Sequence, residues 1–120
     1  MNGIGGNTTI NIQIRTTIKN EIGERKPDWK TIQSLNGWLD LMSGDSKRTS
    51  FYSKIEESSH IFVSDYVPLD EQIKEENSRA LINGKTYDIL LIDDPMELHK
   101  QLEIYLKYTG GQNGSNWIHR

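Results

Sequence analysis

The strongest constraint in this sequence is a dipeptide. Asn83-Gly84 stands between two apolar segments, Ala80-Leu81-Ile82 and Tyr87–Ile92. A two-residue hairpin of type I′ needs positive φ at both central positions, and Asn-Gly meets that need at least steric cost. Arg79–Ile92 is therefore predicted to be an antiparallel hairpin. Its apolar flanks must then be buried against further strands, because an isolated hairpin is marginal in water.

The remaining strands follow from alternation. Ile10, Ile12 and Ile14 alternate with polar residues, the period of a half-buried strand, and Ile18 keeps the parity. Pro27 and the charged stretch Glu24–Asp28 interrupt the pattern. A second strand is expected from Trp29 to about Leu41, broken or bulged near Asn36-Gly37. Two short strands are expected at Phe51–Ile55 and Ile61–Val67. In the latter Ile61, Val63 and Val67 face one way and Phe62 and Tyr66 the other. A strand with apolar groups on both faces is covered on both sides or lies at a subunit contact.

Two regions carry competing signals. Asp70–Arg79 is polar and is expected to be a loop. Asp94-Pro95-Met96-Glu97 has the form of a helix start, with an acid at the cap, proline first and Glu behind it. Leu98, Leu102, Tyr105 and Leu106 would share a helical face, yet Leu102, Ile104, Leu106 and Tyr108 also alternate as a strand would. The β-rich context favours a last strand preceded by one turn at Pro95–His99.

Composition closes off other classes. Fifteen Ile and a single Ala in 120 residues favour strands over helical bundles. No Cys is present, which excludes a disulfide framework, a thiolate metal site and a cysteine nucleophile. The longest apolar run is Ile89-Leu90-Leu91-Ile92, far short of a membrane span or a signal peptide. A formal net charge of -3 argues against a surface built to grip DNA. From Lys54 to Glu76 seven acids face two lysines, either a solvated face or one that repels DNA or docks a basic partner. The expected architecture is all-β: a small antiparallel barrel or sandwich of about six strands, with a long polar loop at Ser43–Ser50. Residues 1–7 are expected to form a flexible leader, 8–109 a single domain, and 110–120 a flexible tail.

Chemistry is sparse. No nucleophile elbow, phosphate loop, dinucleotide fingerprint or zinc spacing occurs, and Gly3-Ile4-Gly5-Gly6 follows no strand. His60, His99 and His119 match no metal spacing. His60 with Asp65, Asp93 or Asp94 would be the one imaginable hydrolytic set, against a structural role for His60 with its ring bonded to neighbouring backbone in the Glu57–Ile61 turn. For the Asp93-Asp94 pair, acid chemistry or cation binding competes with a turn and cap role before Pro95. Trp29, Trp38, Tyr52, Phe62, Tyr66 and Tyr87 could stack nucleobases on a small OB-like barrel that binds single-stranded nucleic acid. Such a platform needs basic neighbours, and those of Phe62 and Tyr66 are acidic.

One resemblance is specific in order and spacing. Glu57-Ser58-Ser59-His60-Ile61-Phe62 precedes Asp65-Tyr66. Asn83-Gly84-Lys85-Thr86-Tyr87-Asp88-Ile89 follows, then Asp94-Pro95-Met96 and Leu102-Glu103-Ile104-Tyr105-Leu106-Lys107, with Trp38-Leu39-Asp40 and Ser43-Gly44 upstream. Over residues 9–108 this series resembles the tailed-bacteriophage head–tail joining, or head closure, proteins. The resemblance implies a small β-barrel without enzymatic activity or cofactor. It implies a virion protein that assembles in the bacterial cytoplasm as a ring below the portal and adaptor, lets phage DNA pass without reading its sequence, and docks the tail. A neighbouring tail-completion protein is the alternative within the same setting. In some members of the family a loop plugs the channel; the matching position here is Leu41–Tyr52, with Ser43, Gly44, Asp45, Lys47 and Arg48 as its candidates. Phe62, Tyr66 and Val67 are the candidate inter-subunit contacts.

Overall fold

A computed structural model describes residues 5–42, 55 and 57–112. Six strands close into one antiparallel barrel: β1 (Thr8–Lys19), β2 (Arg25–Leu41), β3 (His60–Asp65), β4 (Ser78–Ile82), β5 (Lys85–Asp93) and β6 (Gln101–Gln112). Around the barrel the order is β1-β2-β3-β6-β5-β4, and β4 returns to β1. Between the strands lie two one-turn 3₁₀ segments, Glu75–Asn77 and Pro95–Glu97. The chain is thus all-β, as its alternation predicts. The Asn83-Gly84 hairpin forms as expected, with φ of 52° and 79° at its two central residues. Asp94–His99 is a turn, and the residues after it form the strand.

Alternation sets the interior. Ile10 and Ile12 of β1, Phe62 of β3, Ile82 of β4, and Ile104 and Leu106 of β6 are each at most 1% exposed. A six-stranded barrel has room inside for side chains only, so these residues fill it. Burying each stabilises the fold by about 1.5–3 kcal/mol. One open end is plugged from the polar stretch 66–77. There Ile73 is buried and Leu69 packs against the core. The Gln33 amide holds this segment: its Nε2 donates to Pro68 O at 3.1 Å, and its Oε1 accepts from Asp70 N at 2.8 Å. Past the last β4 pair, β5 has no strand on that side, and the Glu75 carboxylate accepts from Ile92 N at 2.7 Å.

Three strand readings need correction. β2 begins at Arg25 and runs through Pro27, which pairs with Thr17. Proline is tolerated there because, among the described residues, β2 has no neighbour on its other side before Trp38. The bulge lies at Ile32, between Thr31 and Gln33, and not at Asn36-Gly37. Gly37 sits in regular pairing with Thr8 for a different reason: a Cβ there would lie 2.3 Å from Val63 O and 2.8 Å from the Phe62 ring. Finally, β6 runs past residue 109, with Gln112 paired to Lys85. The strand expected at Phe51–Ile55 lies outside the described residues except for Ile55.

Gly37→Ala forces β3 or Phe62 to move. It is expected to cost about 2 kcal/mol, within the range for overpacked cores. Thermal melting checks this against Gly5→Ala, whose Cβ would meet nothing within 4 Å, although its φ of 69° carries a separate backbone cost.

Candidate functional site

β1 and β2 are longer than the barrel they help to build. β4 covers β1 only over Asn11–Ile14, and β3 covers β2 only over Trp38–Leu41. Beyond Ile14 the ladder continues to Lys19↔Arg25 with no third strand among the described residues, so residues 15–30 project as a two-stranded arm. The arm is built to hold its shape. At its root the Arg79 guanidinium lies 4.4 Å over the Trp29 ring, and Arg79 Nε donates to Gln13 Oε1 at 2.7 Å. Gln13 is itself buried, and its Nε2 donates to Thr31 Oγ1 at 3.1 Å. At the tip the Asn20 Oδ1 accepts from Ile22 N and Glu24 N, while Gly23 takes a φ of 88°. That ordered turn presents Ile22 with 79% of its surface exposed.

The outer face of β2, β3, β6 and β5 is the second feature. Cross-strand register places Asp40, Ile61, Tyr105 and Leu91 in one row, and Trp38, Val63, Glu103 and Asp93 in the next. These residues alternate with the buried ones and point away from the core. An apolar centre thus carries carboxylates at its margins. Glu103 accepts from Tyr105 Oη at 3.0 Å and from Gln101 Nε2 at 2.7 Å. Burial, then the neighbouring Glu103 charge and hydrogen bond, then Asp93, push the Tyr105 phenol up to about 12.

A third feature closes the end of the barrel from which the arm springs. Met96, Glu97 and His99 all take left-handed φ between 55° and 57°, unusual for side-chain-bearing residues. Asp94 holds this loop: Oδ1 accepts from His99 N at 3.0 Å, and Oδ2 meets His99 Nδ1 at 2.5 Å. The Tyr66 ring packs on His99 at 4.5 Å. Met96 and Leu98 stand exposed at the loop's crest.

The sequence-predicted site residues scatter over these features. Ser43, Gly44, Asp45, Lys47 and Arg48 lie outside the described residues. Phe62 is fully buried inside the chain's own barrel and offers no surface for a subunit contact. Its strand neighbours Ile61 and Val63 hold the outer face instead. Tyr66 is half-buried against His99, and Val67 is exposed beside it. His60 pairs with Leu106 and Asp93 with Glu103, so about 10 Å of strand separates their levels and they form no common site. His60 Nδ1 lies 2.8 Å from Ser59 Oγ, and the ring meets Tyr87 and Tyr108 edge-on. Its partner is a neighbouring side chain, where backbone was expected. Burial lowers its pKa. Among the described residues the expected aromatic platform does not gather: Phe62 and Tyr87 are buried, and Trp29 lies under Arg79, while Tyr52 lies outside the described residues. Sequence reasoning missed the arm altogether. The unbroken parity of Ile14 and Ile18 was the signal for it.

No family model and no curated protein matches the chain. Two solved structures are similar in fold. Protein SF1141 from Shigella flexneri 2a, a solution structure, superposes with a TM-score of 0.67 at 18% identity, covering 92% of this chain and 98% of that one. A chain from the virion of a native gene transfer agent particle gives a TM-score of 0.48 at 14% identity, covering 83% and 91%.

Gln13→Ala removes both side-chain bonds at the arm's root and is expected to cost about 1–2 kcal/mol. Hydrogen exchange should accelerate at Thr16–Lys19 before it changes in β6. The raised Tyr105 pKa stabilises the fold below pH 10, and that contribution is lost as pH rises from about 10 to about 12. Glu103→Gln should lower the phenol's titration midpoint in ultraviolet absorbance, with Tyr105→Phe identifying the signal.

Proposed function

We propose that this chain is a non-enzymatic structural subunit of a tailed-phage head–tail connector. In this reading it forms a ring below the portal or adaptor, closes the DNA-filled capsid, and docks the tail-completion or tail-tube protein. The observation that carries the proposal is where the family-like segments fall. Glu57–Phe62 leads into β3, Asn83-Gly84 turns β4 into β5, Asp94-Pro95-Met96 begins the strained loop, and Leu102–Lys107 lies in β6. All of them build one closed wall and its turns, and none converges on a pocket. A resemblance concentrated on the barrel itself suits a protein whose function is to be a building block.

The surface supports the same reading. A rigid projecting arm and an apolar outer face are means of association, not of turnover. The connection between β2 and β3 leaves at Leu41 and returns at His60, which pair at the end of the barrel opposite the arm. Ser43, Gly44, Asp45, Lys47 and Arg48 on that connection are the proposed channel-lining residues. With a net charge of -3, DNA passes without being gripped or read.

Deleting the coding sequence from the phage or prophage that carries it, then imaging the particles, tests this function. DNA-empty, tailless heads are expected; DNA-filled, tailed heads overturn it. Sedimentation of the purified chain at micromolar concentration should show a monomer or weak association, with ring closure awaiting the connector. A stable closed ring in free solution contradicts that part.

A further inference from the structure

The arm's exterior is unbalanced in charge. Arg15, Thr17 and Lys19 on β1 stand opposite Trp29, Pro27 and Arg25 on β2, so these strand positions carry three cations; at the root Arg15 and Trp29 share a cleft with Glu75, Glu76 and Asp88, whereas Lys19 and Arg25 lie beyond it. Lys19 and Arg25 lie directly across from one another, a pairing that costs stability unless an anion is nearby. Among the described residues none of these three cations has an ion-pair partner. The outer face of β2-β3-β6-β5 is the converse. Asp40 and Asp93 lie at opposite edges of the Ile61, Val63, Tyr105 and Leu91 patch and Glu103 lies within it, and among the described residues no cation pairs with any of the three acids.

Reach matches as well as charge. Arg15 to Lys19 spans about 13 Å along a strand, and β2 to β5 spans about 14 Å across the outer face. The arm springs from β1 and β2 and runs off the end of the barrel, so it cannot fold back onto the outer face of its own β5 and β6. A second copy can supply that face.

We infer that the basic arm of one copy docks on the acidic-rimmed apolar face of the next. Arg15, Lys19 and Arg25 meet Asp40, Glu103 and Asp93, and Thr17 and Pro27 cover the apolar centre. The contact joins two different patches, so each copy keeps one arm and one face open. It therefore propagates into a ring or chain rather than stopping at a dimer. The inference names the lateral contact on which the connector reading depends.

Because the chain has no cysteine, oxidative cross-linking tests the contact directly. Thr17→Cys with Val63→Cys in one chain, at high protein concentration, should give a ladder of covalent multimers. Either single variant should stop at background dimer. Adding Lys19→Glu and Arg25→Glu should cut the ladder by roughly tenfold, as should Asp40→Lys with Asp93→Lys. Mixing the arm-reversed and face-reversed chains should restore it. Circular dichroism confirms folding of each variant.

No ladder from folded double-cysteine protein overturns the contact, as does a strong dimer from either single variant, which would mean a symmetric interface. Binding of a double-stranded oligonucleotide that Lys19→Glu and Arg25→Glu abolish, without a ladder, assigns the arm to nucleic acid and also overturns it. The connector reading fails separately, on particle morphology. Tailed, filled heads from the deletion leave a ladder-forming contact standing.

Discussion

Closure of the barrel rests on one short ladder. β1 meets β4 over Asn11–Ile14 alone, and without those pairs the sheet has two open edges and an exposed core. The ladder is held by more than backbone. Gln13, buried within it, reaches Arg79 on β4 and Thr31 on β2 through its side chain, so one amide ties together the three strands at the closing seam. Everything beyond the seam follows from its position. β4 starts at Ser78, opposite Ile14, and at that level β1 and β2 leave the wall and become the arm.

The same seam explains why a projecting two-stranded ribbon keeps its shape. Such ribbons are marginal alone. Here Trp29 lies between the ribbon and the Arg79 guanidinium, which is itself fixed by Gln13. The far end is closed by Asn20, whose side chain satisfies two backbone N–H groups of its own turn. Between root and tip, charge on Arg15, Lys19, Arg25, Lys26 and Lys30, together with Pro27, keeps the two bare edges from pairing with other strands at random. A charged edge is still free to meet a surface of opposite charge.

Local features were legible in the sequence; the geometry of closure was not. Asn83-Gly84 and the Ile10-Ile12-Ile14 alternation act over a few residues, and the structure follows both. Pro27 and its charged neighbours resemble a break because loops and open edge strands share that composition. Gly37 resembles a bulge in the sequence because glycine serves several purposes, and the one at work here, room for Phe62, exists only once β3 lies alongside. Ile73 was hidden in a polar run and emerges as the plug of the barrel. Ile61–Val67 showed two apolar faces, but alternation alone could not say which faced inward. Once Phe62 is known to fill the core, Ile61 and Val63 become the outer surface.

That inversion changes what the outer face is for. An outer strand face in a small barrel needs only polar residues, and the solvent-facing positions of the arm supply them. β3 instead places Ile61 and Val63 between Trp38 and Tyr105, where Tyr105 lies in surroundings dry enough to raise its phenol to about 12. Apolar area left on a surface is an association site in waiting, and the carboxylates at its rim select what can approach. In the connector role we propose, a subunit has to avoid its own kind until a template gathers the copies, then bind without rearrangement. A preformed arm and a preformed face, each weak alone and oppositely charged, meet both demands. Ordering costs are small because neither element has to fold on contact, and the charges orient each approach.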